Sequence, residues 1–155
     1  ENFQEGLAIA KKGGKYGVIN KAGNLIVPFE YEFIGDFQEE LAIVRRNGRS
    51  GVINKAGNTI VPFEYEFIRD FQEDMAIARK DGDSGVIDKS GNTIVPFEYE
   101  SIRDFKEGLA IARKDGCDGI IDKVGNIIVP FKKIDCLYLK VGLLMMMEVM
   151  NRTLN

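Results

Sequence analysis

The fold is decided by the stretch Phe71 to Asp104, FQEDMAIARKDGDSGVIDKSGNTIVPFEYESIRD, because the chain carries it four times. Phe3, Phe37, Phe71 and Phe105 open the copies at a constant interval of 34 residues. Gly17, Gly51, Gly85 and Gly119 keep the same interval, as do Pro28, Pro62, Pro96 and Pro130. A fixed period without insertions is the mark of a repeat architecture, in which each copy is one supersecondary unit that must pack on its neighbours. The copies fall at about 3–36, 37–70, 71–104 and 105–131. They make a four-repeat array over residues 1–131, followed by a non-repeat tail over 132–155.

Within a copy the glycines divide three short apolar runs. In the first, Leu41-Ala42-Ile43-Val44-Arg45 and its equivalents, large and small apolar residues alternate. That is period two, and a run of about five residues before a turn is strand length rather than helix length. Arg46-Asn47-Gly48-Arg49, Lys80-Asp81-Gly82-Asp83 and Lys114-Asp115-Gly116-Cys117 follow. Asn-Gly and Asp-Gly between apolar runs signal a tight hairpin, since the turn needs positive φ at both central residues. The second run, Gly51-Val52-Ile53-Asn54 and its equivalents, has adjacent β-branched residues, as in a strand buried on both faces. Its leading glycine (Gly17, Gly51, Gly85, Gly119) predicts a bulge or the close approach of another backbone. A second turn, with Gly23, Gly57, Gly91 and Gly125 in the left-handed position, fits a three- to four-residue hairpin. The third run, Thr93-Ile94-Val95-Pro96, holds a proline, which places it at a sheet edge or ends it there. Phe97-Glu98-Tyr99-Glu100-Ser101-Ile102 then extends that strand or forms a short fourth one, with Phe97 and Tyr99 inward and the glutamates outward.

The expected fold is therefore all-β: four repeats, each a three-stranded antiparallel meander, stacked as an open twisted solenoid-like array. Propeller-like closure is the alternative. Equivalent residues, such as Ile9, Ile43, Ile77 and Ile111, are expected to line up along it.

The run Glu107-Gly108-Leu109-Ala110, then Gly-x-x-Gly, Val/Ile-Ile-Asp-Lys-x-Gly and Ile-Val-Pro, resembles the WG-containing repeat, also called the KWG repeat, over residues 3 to 131. The family's glycine is present four times, but its tryptophan column reads Tyr16, Ser50, Ser84 and Asp118. The resemblance implies an all-β repeat of bacterial origin with no established catalytic activity, used for binding or scaffolding.

Composition narrows function mainly by exclusion. A net charge of −3 offers no basic excess for nucleic acid. The absence of histidine removes the commonest general base and zinc ligand. The serines thus have no imidazole to activate them, and no Gly-x-x-x-x-Gly-Lys-Ser/Thr run cradles a phosphate. Catalytic, metal and cofactor sites are not expected. The acidic columns (Glu5, Glu39, Glu73, Glu107; Asp36, Asp70, Asp104) come singly, and read as a solvated face with inter-repeat ion pairs rather than as a calcium site. Cys117 and Cys136 do not recur with the repeat, and are read as two free thiols. Unpaired thiols lean toward a reducing, cytoplasmic compartment.

The candidates for ligand contact are Tyr31, Tyr65 and Tyr99, since an aromatic with a polar tip suits a sugar face or a protein hot spot. Core packing is the plainer reading of the same column. The expected function is a non-catalytic module for protein interaction or scaffolding, with cell-wall or glycan binding through the aromatic columns as the alternative.

Two further expectations concern the ends. Glu1 already lies inside a repeat, so the sequence reads as a fragment or processed product. The period fails after Phe131, and the apolar stretch Leu137 to Met150 reads as a cap, a partner contact or a shifted reading frame. It is too short and too charged, with Lys140 and Glu148, to span a membrane.

Overall fold

The structure is a computed structural model, and it describes residues 5–132. The tail beyond residue 132 lies outside the described residues. So does the choice among its readings.

The described chain is built of strands and turns. The first repeat gives β1 (Leu7–Lys12), β2 (Lys15–Asn20), β3 (Leu25–Tyr31) and the two-residue β4 (Phe33–Ile34). The second gives β5 (Leu41–Arg46), β6 (Arg49–Asn54), β7 (Thr59–Tyr65) and β8 (Phe67–Ile68). The third gives β9 (Met75–Lys80), β10 (Asp83–Asp88), β11 (Thr93–Tyr99) and β12 (Ser101–Ile102). The last gives β13 (Leu109–Lys114), β14 (Cys117–Asp122) and β15 (Ile127–Val129).

Each repeat forms the antiparallel meander its turns encode. Asn47 (φ 51°) and Gly48 (φ 74°) are both left-handed and join paired Arg46 and Arg49, which is the two-residue I′ hairpin. The second turn is capped by the residue before it. Asn54 Oδ1 accepts from the amides of Ala56 (3.1 Å) and Asn58 (2.9 Å). Asp88 does the same for Ser90 and Asn92, each at 2.9 Å.

The short strands refine the meander. β4 pairs not with its own repeat but with β5 of the next, Phe33 opposite Arg45 and Ile34 opposite Val44. β8 pairs with β9, and β12 with β13, in the same register. The sheets therefore run β1-β2-β3, β4-β5-β6-β7, β11-β10-β9-β8 and β12-β13-β14-β15. Each connector is hydrogen-bonded into the sheet that follows it. Pro28, Pro62 and Pro96 lie inside third strands that sit at sheet edges, where a missing N–H costs no ladder bond.

The leading glycine of the second strand does two of the expected things at once. β6 and β7 are in register at Val52–Val61 and again at Ser50–Tyr65, so β7 carries extra residues between them. At this bulge the backbone closes on Gly51. A Cβ there would stand 2.7 Å from the carbonyl oxygen of Val61 and 3.1 Å from Cδ1 of Phe63. The ring of Phe63 thus occupies the space beside the glycine. Phe29 takes the same place over Gly17, Phe97 over Gly85 and Phe131 over Gly119.

The described residues divide into two compact units, 5–82 with Val86–Thr93, and Asp83–Gly85 with 94–132. In the first, Val18, Val27, Val44 and Ile53 are fully buried in one cluster with Tyr31 and Ile34. A buried Val or Ile side chain contributes about 1.5–3 kcal/mol. Val27 is covered by the second turn of the next repeat, 3.3 Å from the position of a Cβ on Gly57, and Val61 meets Gly91 in the same way. In the second unit Val95 meets Gly125. The small residues of the first strand, such as Ala42 and Ala76, are buried, while Leu41 and Ile43 are half-buried. The tighter packing is on the alanine face.

The cysteines correct the sequence expectation. Cys117 is buried and disulfide-bonded, and no described cysteine is a free thiol. A bond made once leaves no periodic trace, so the column comparison could not detect it. The ground for a reducing compartment goes with it.

Candidate functional site

The tyrosine column is inside. Tyr31, Tyr65 and Tyr99 are each 2% exposed. Tyr31 packs on Phe63 with ring centroids 6.1 Å apart, and Tyr99 on Phe131 at 5.7 Å. Cations lie over the outer faces: Arg46 is 5.8 Å from the Tyr31 ring and 4.3 Å from Phe63, Lys80 is 5.9 Å from Tyr65, and Lys114 is 5.7 Å from Tyr99. Burial, and next the negative charge of the adjacent glutamate, pushes all three phenols up. These tyrosines take the packing role.

The glutamates flanking them face out and bind the next repeat. Glu30 meets Arg46 at 2.8 Å, Glu64 meets Lys80 at 2.9 Å, and Glu98 meets Lys114 at 2.9 Å. The second glutamate of each pair reaches the hairpin turn. Glu66 accepts from the Gly82 amide at 2.7 Å and Glu100 from Gly116 at 2.7 Å, while Glu32 accepts from Gly48 at 3.2 Å. One strand end thus carries two acids onto two cations and a turn amide of the following copy.

The opposite end of the sheets carries a second series. Lys55 bridges Glu40 of its own repeat at 2.8 Å and Glu5 of the preceding one. Lys89 bridges Asp74 at 2.6 Å and Glu39 of the preceding repeat. The hydrogen bonds that Lys55 donates to Glu40 and Glu5 raise its ammonium, and those that Lys89 donates to Asp74 and Glu39 do the same for it. The acids sit on a tight turn at the start of each repeat, with Glu39 (φ 47°) and Glu40 (φ 74°) both left-handed. The backbone bonds Gln38–Leu41 close that turn at 2.8 and 3.0 Å. Sequence reading found the acids and their inter-repeat pairing. It also expected the chain to turn into the next copy here, at Arg103 to Gly108, but not that Glu39 and Glu40 would both be left-handed, because Glu-Glu, unlike Glu107-Gly108, is not a turn signal.

Beneath this end, in the first unit, lies a cleft of about 710 Å³. Its lining mixes the apolar Leu7, Ile9 and Phe37 with the charged Glu5, Asp36 and Lys55. Among the described residues no three His, Cys, Asp or Glu side chains cluster as metal ligands would. No described helix is long and apolar enough to cross a membrane. The family's tryptophan column is divided: Ser50 and Ser84 are buried, Tyr16 is half-buried, and Asp118 lies 3.7 Å from Arg113.

Fold and surface together define an all-β tandem-repeat module whose copies are tied by buried valines and by charge. The model of the WG containing repeat matches residues 1–16, 16–49, 51–82 and 85–116, and the chain belongs to that family. No curated protein sequence matches it. Among solved structures, the N-terminal domain of Nup159 is similar over 82% of this chain, at 14% identity and a TM-score of 0.48. The chain spans 41% of that domain. The computationally designed Ika4 protein is similar over 83% of this chain and 87% of its own, at 15% identity and a TM-score of 0.43.

Proposed function

We propose that the chain is a non-catalytic module that binds other proteins, and that the cleft beside β1 is where a partner anchors. The observation that carries this is the cleft's composition. A lining that combines Leu7, Ile9 and Phe37 with Glu5, Asp36 and Lys55 offers the apolar and charged groups from which protein contacts are made. The repeated turns would extend the contact beyond the anchor, as repeat proteins use successive copies of one surface. Glycan binding has less support, because the rings of Tyr31, Tyr65 and Tyr99 are buried and a sugar needs an open aromatic face.

The test is photo-cross-linking in source-cell lysate, with a photoreactive residue at position 36 in the cleft and at the exposed strand position 128 as control, alongside pelleting on cell-wall polysaccharide. Defined protein adducts from position 36 alone support the reading. Pelleting without adducts would refute it in favour of the glycan alternative.

A further inference from the structure

The start of the repeat carries a strip of large apolar side chains that the fold leaves half open. In the first copy Leu7, Ile9 and Phe37 line the cleft of about 710 Å³ and are half-buried. One period on, Leu41, Ile43 and Phe71 are half-buried as well, with a described copy on either side of them. The strip therefore belongs to the repeat and not to its first copy. Apolar surface left open beside charged groups marks a contact site.

The charges beside the strip present one sign to solvent. Lys55 is bridged by Glu5 and Glu40, and Lys89 by Glu39 and Asp74, so two acids meet each lysine. The lysine side chains are only 21% and 27% exposed, whereas the four carboxylates are 72–80% exposed. The ammonium groups are thus covered, and the carboxylates face out. Asp36 and Asp70 take no part in these bridges and are exposed too. A field of this sign repels the phosphates of nucleic acid and of lipid headgroups, and draws in a cationic partner.

We infer that this strip binds an extended segment of a partner polypeptide in which a basic residue stands beside an apolar one. The apolar side chain packs among Leu7, Ile9 and Phe37, and the neighbouring Lys or Arg of the partner reaches Asp36 and Glu5. A second such pair meets Leu41, Ile43 and Phe71, with Asp70 and Glu39. Apolar contact gives the affinity, and the acids select the partner by charge. The occupant is a polypeptide rather than a lone amine because successive copies offer the same apolar and acidic set, which is how repeat arrays hold an extended chain. The inference rests on the reading of the chain as a protein-binding module, and assigns the chemistry of its partner.

The probe is the synthetic peptide acetyl-Gly-Arg-Leu-Gly-Arg-Leu-Gly-amide, titrated into the full isotope-labelled chain and followed by amide NMR shifts. Saturable shifts are expected at Leu7, Ile9 and Phe37, and at Leu41, Ile43 and Phe71. Glutamate in place of both arginines of the peptide, or serine in place of both leucines, should abolish them. Asp36→Asn with Asp70→Asn in the chain should weaken binding by about three-fold or more. Absence of saturable shifts, shifts confined to other residues, or shifts as large with the glutamate peptide would overturn the inference. Equal shifts with argininamide alone would also overturn it, by giving the strip to a small cation. Cross-linking from position 36 separates this chemistry from the module reading, since excess peptide should suppress the adducts. Adducts that persist would refute the basic partner and leave the module reading intact. Pelleting on polysaccharide without adducts would overturn both.

Discussion

Replacing Gly51 by alanine tests whether the bulge, rather than backbone freedom, is what the glycine of the family motif provides. Gly51 is not in the left-handed region, so alanine brings no torsional penalty of its own. The obstacle is spatial. The new Cβ would lie 2.7 Å from the Val61 carbonyl oxygen, about 0.6 Å inside the closest ordinary carbon–oxygen approach of about 3.3 Å. The obstructing atom is backbone, so β7 must step away from β6. Overpacking of this kind costs about 1–3 kcal/mol, and a ladder hydrogen bond stretched in the process adds about 1 kcal/mol. The expected loss is about 2–4 kcal/mol, or a fall in Tm of roughly 5–15 °C for a chain of this size. Gly48→Ala is the control. Gly48 has φ of 74° and nothing within 4 Å of a Cβ, so it should lose only the left-handed penalty of about 1–2 kcal/mol. Urea unfolding of both variants, with unchanged m-values, measures the difference. Phe63→Ala should not rescue Gly51→Ala, because the carbonyl remains. A Gly51→Ala loss no larger than that of Gly48→Ala would refute the close-approach account.

Tyr65→Ala empties a site that is 2% exposed and should cost about 3–5 kcal/mol, read as a lowered urea midpoint; an unchanged midpoint would place the ring at the surface. Lys55→Met should lower Tm slightly at low salt by breaking the Glu5 and Glu40 pairs, and the difference should vanish in 1 M NaCl, where exposed pairs are screened; a salt-independent loss would assign Lys55 a packing role instead. Burial tends to raise the Asp88 carboxyl, but bonds from the Asn92 side chain and the turn amides outweigh it and hold the group below its ordinary 3.8. A depressed carboxyl stabilises the fold above its unfolded value and loses that contribution as pH falls through the folded one. Asp88→Asn, which copies the cap that Asn54 already makes, should therefore flatten the acid limb of Tm between about pH 4 and 2. An identical acid limb in the variant would refute the assignment.

The same residues show how far the fold was legible beforehand. Asn47-Gly48 and Asp81-Gly82 announce their turns because left-handed φ at two successive residues is a local demand that few side chains meet. Pro62 announces an edge for an equally local reason, the missing N–H. Gly51 announced crowding, though not that the Val61 carbonyl and the Phe63 ring supply it. Phe67-Ile68 gave no sign of pairing with the following sheet, because two residues cannot show a period. The tyrosines were ambiguous for a different reason. Alternation with glutamate fixes that Tyr65 and Glu64 point opposite ways, but not whether the tyrosine side is covered.

Sequence alone determined the period, the strand order within a repeat and the hairpin turns, and limited the third strand at its proline to an edge or an end. These follow from backbone torsion, hydrogen-bond capacity and alternation, which act over a few residues. Tertiary structure decided what covers what. It placed Tyr31, Tyr65 and Tyr99 under the cations of the next copy, bound Cys117 in a disulfide, and passed each connector strand to its neighbour. Those outcomes depend on contacts between residues from 10 positions apart, as in Ile34 opposite Val44, to 50, as in Lys89 with Glu39, which residue-by-residue rules do not decide.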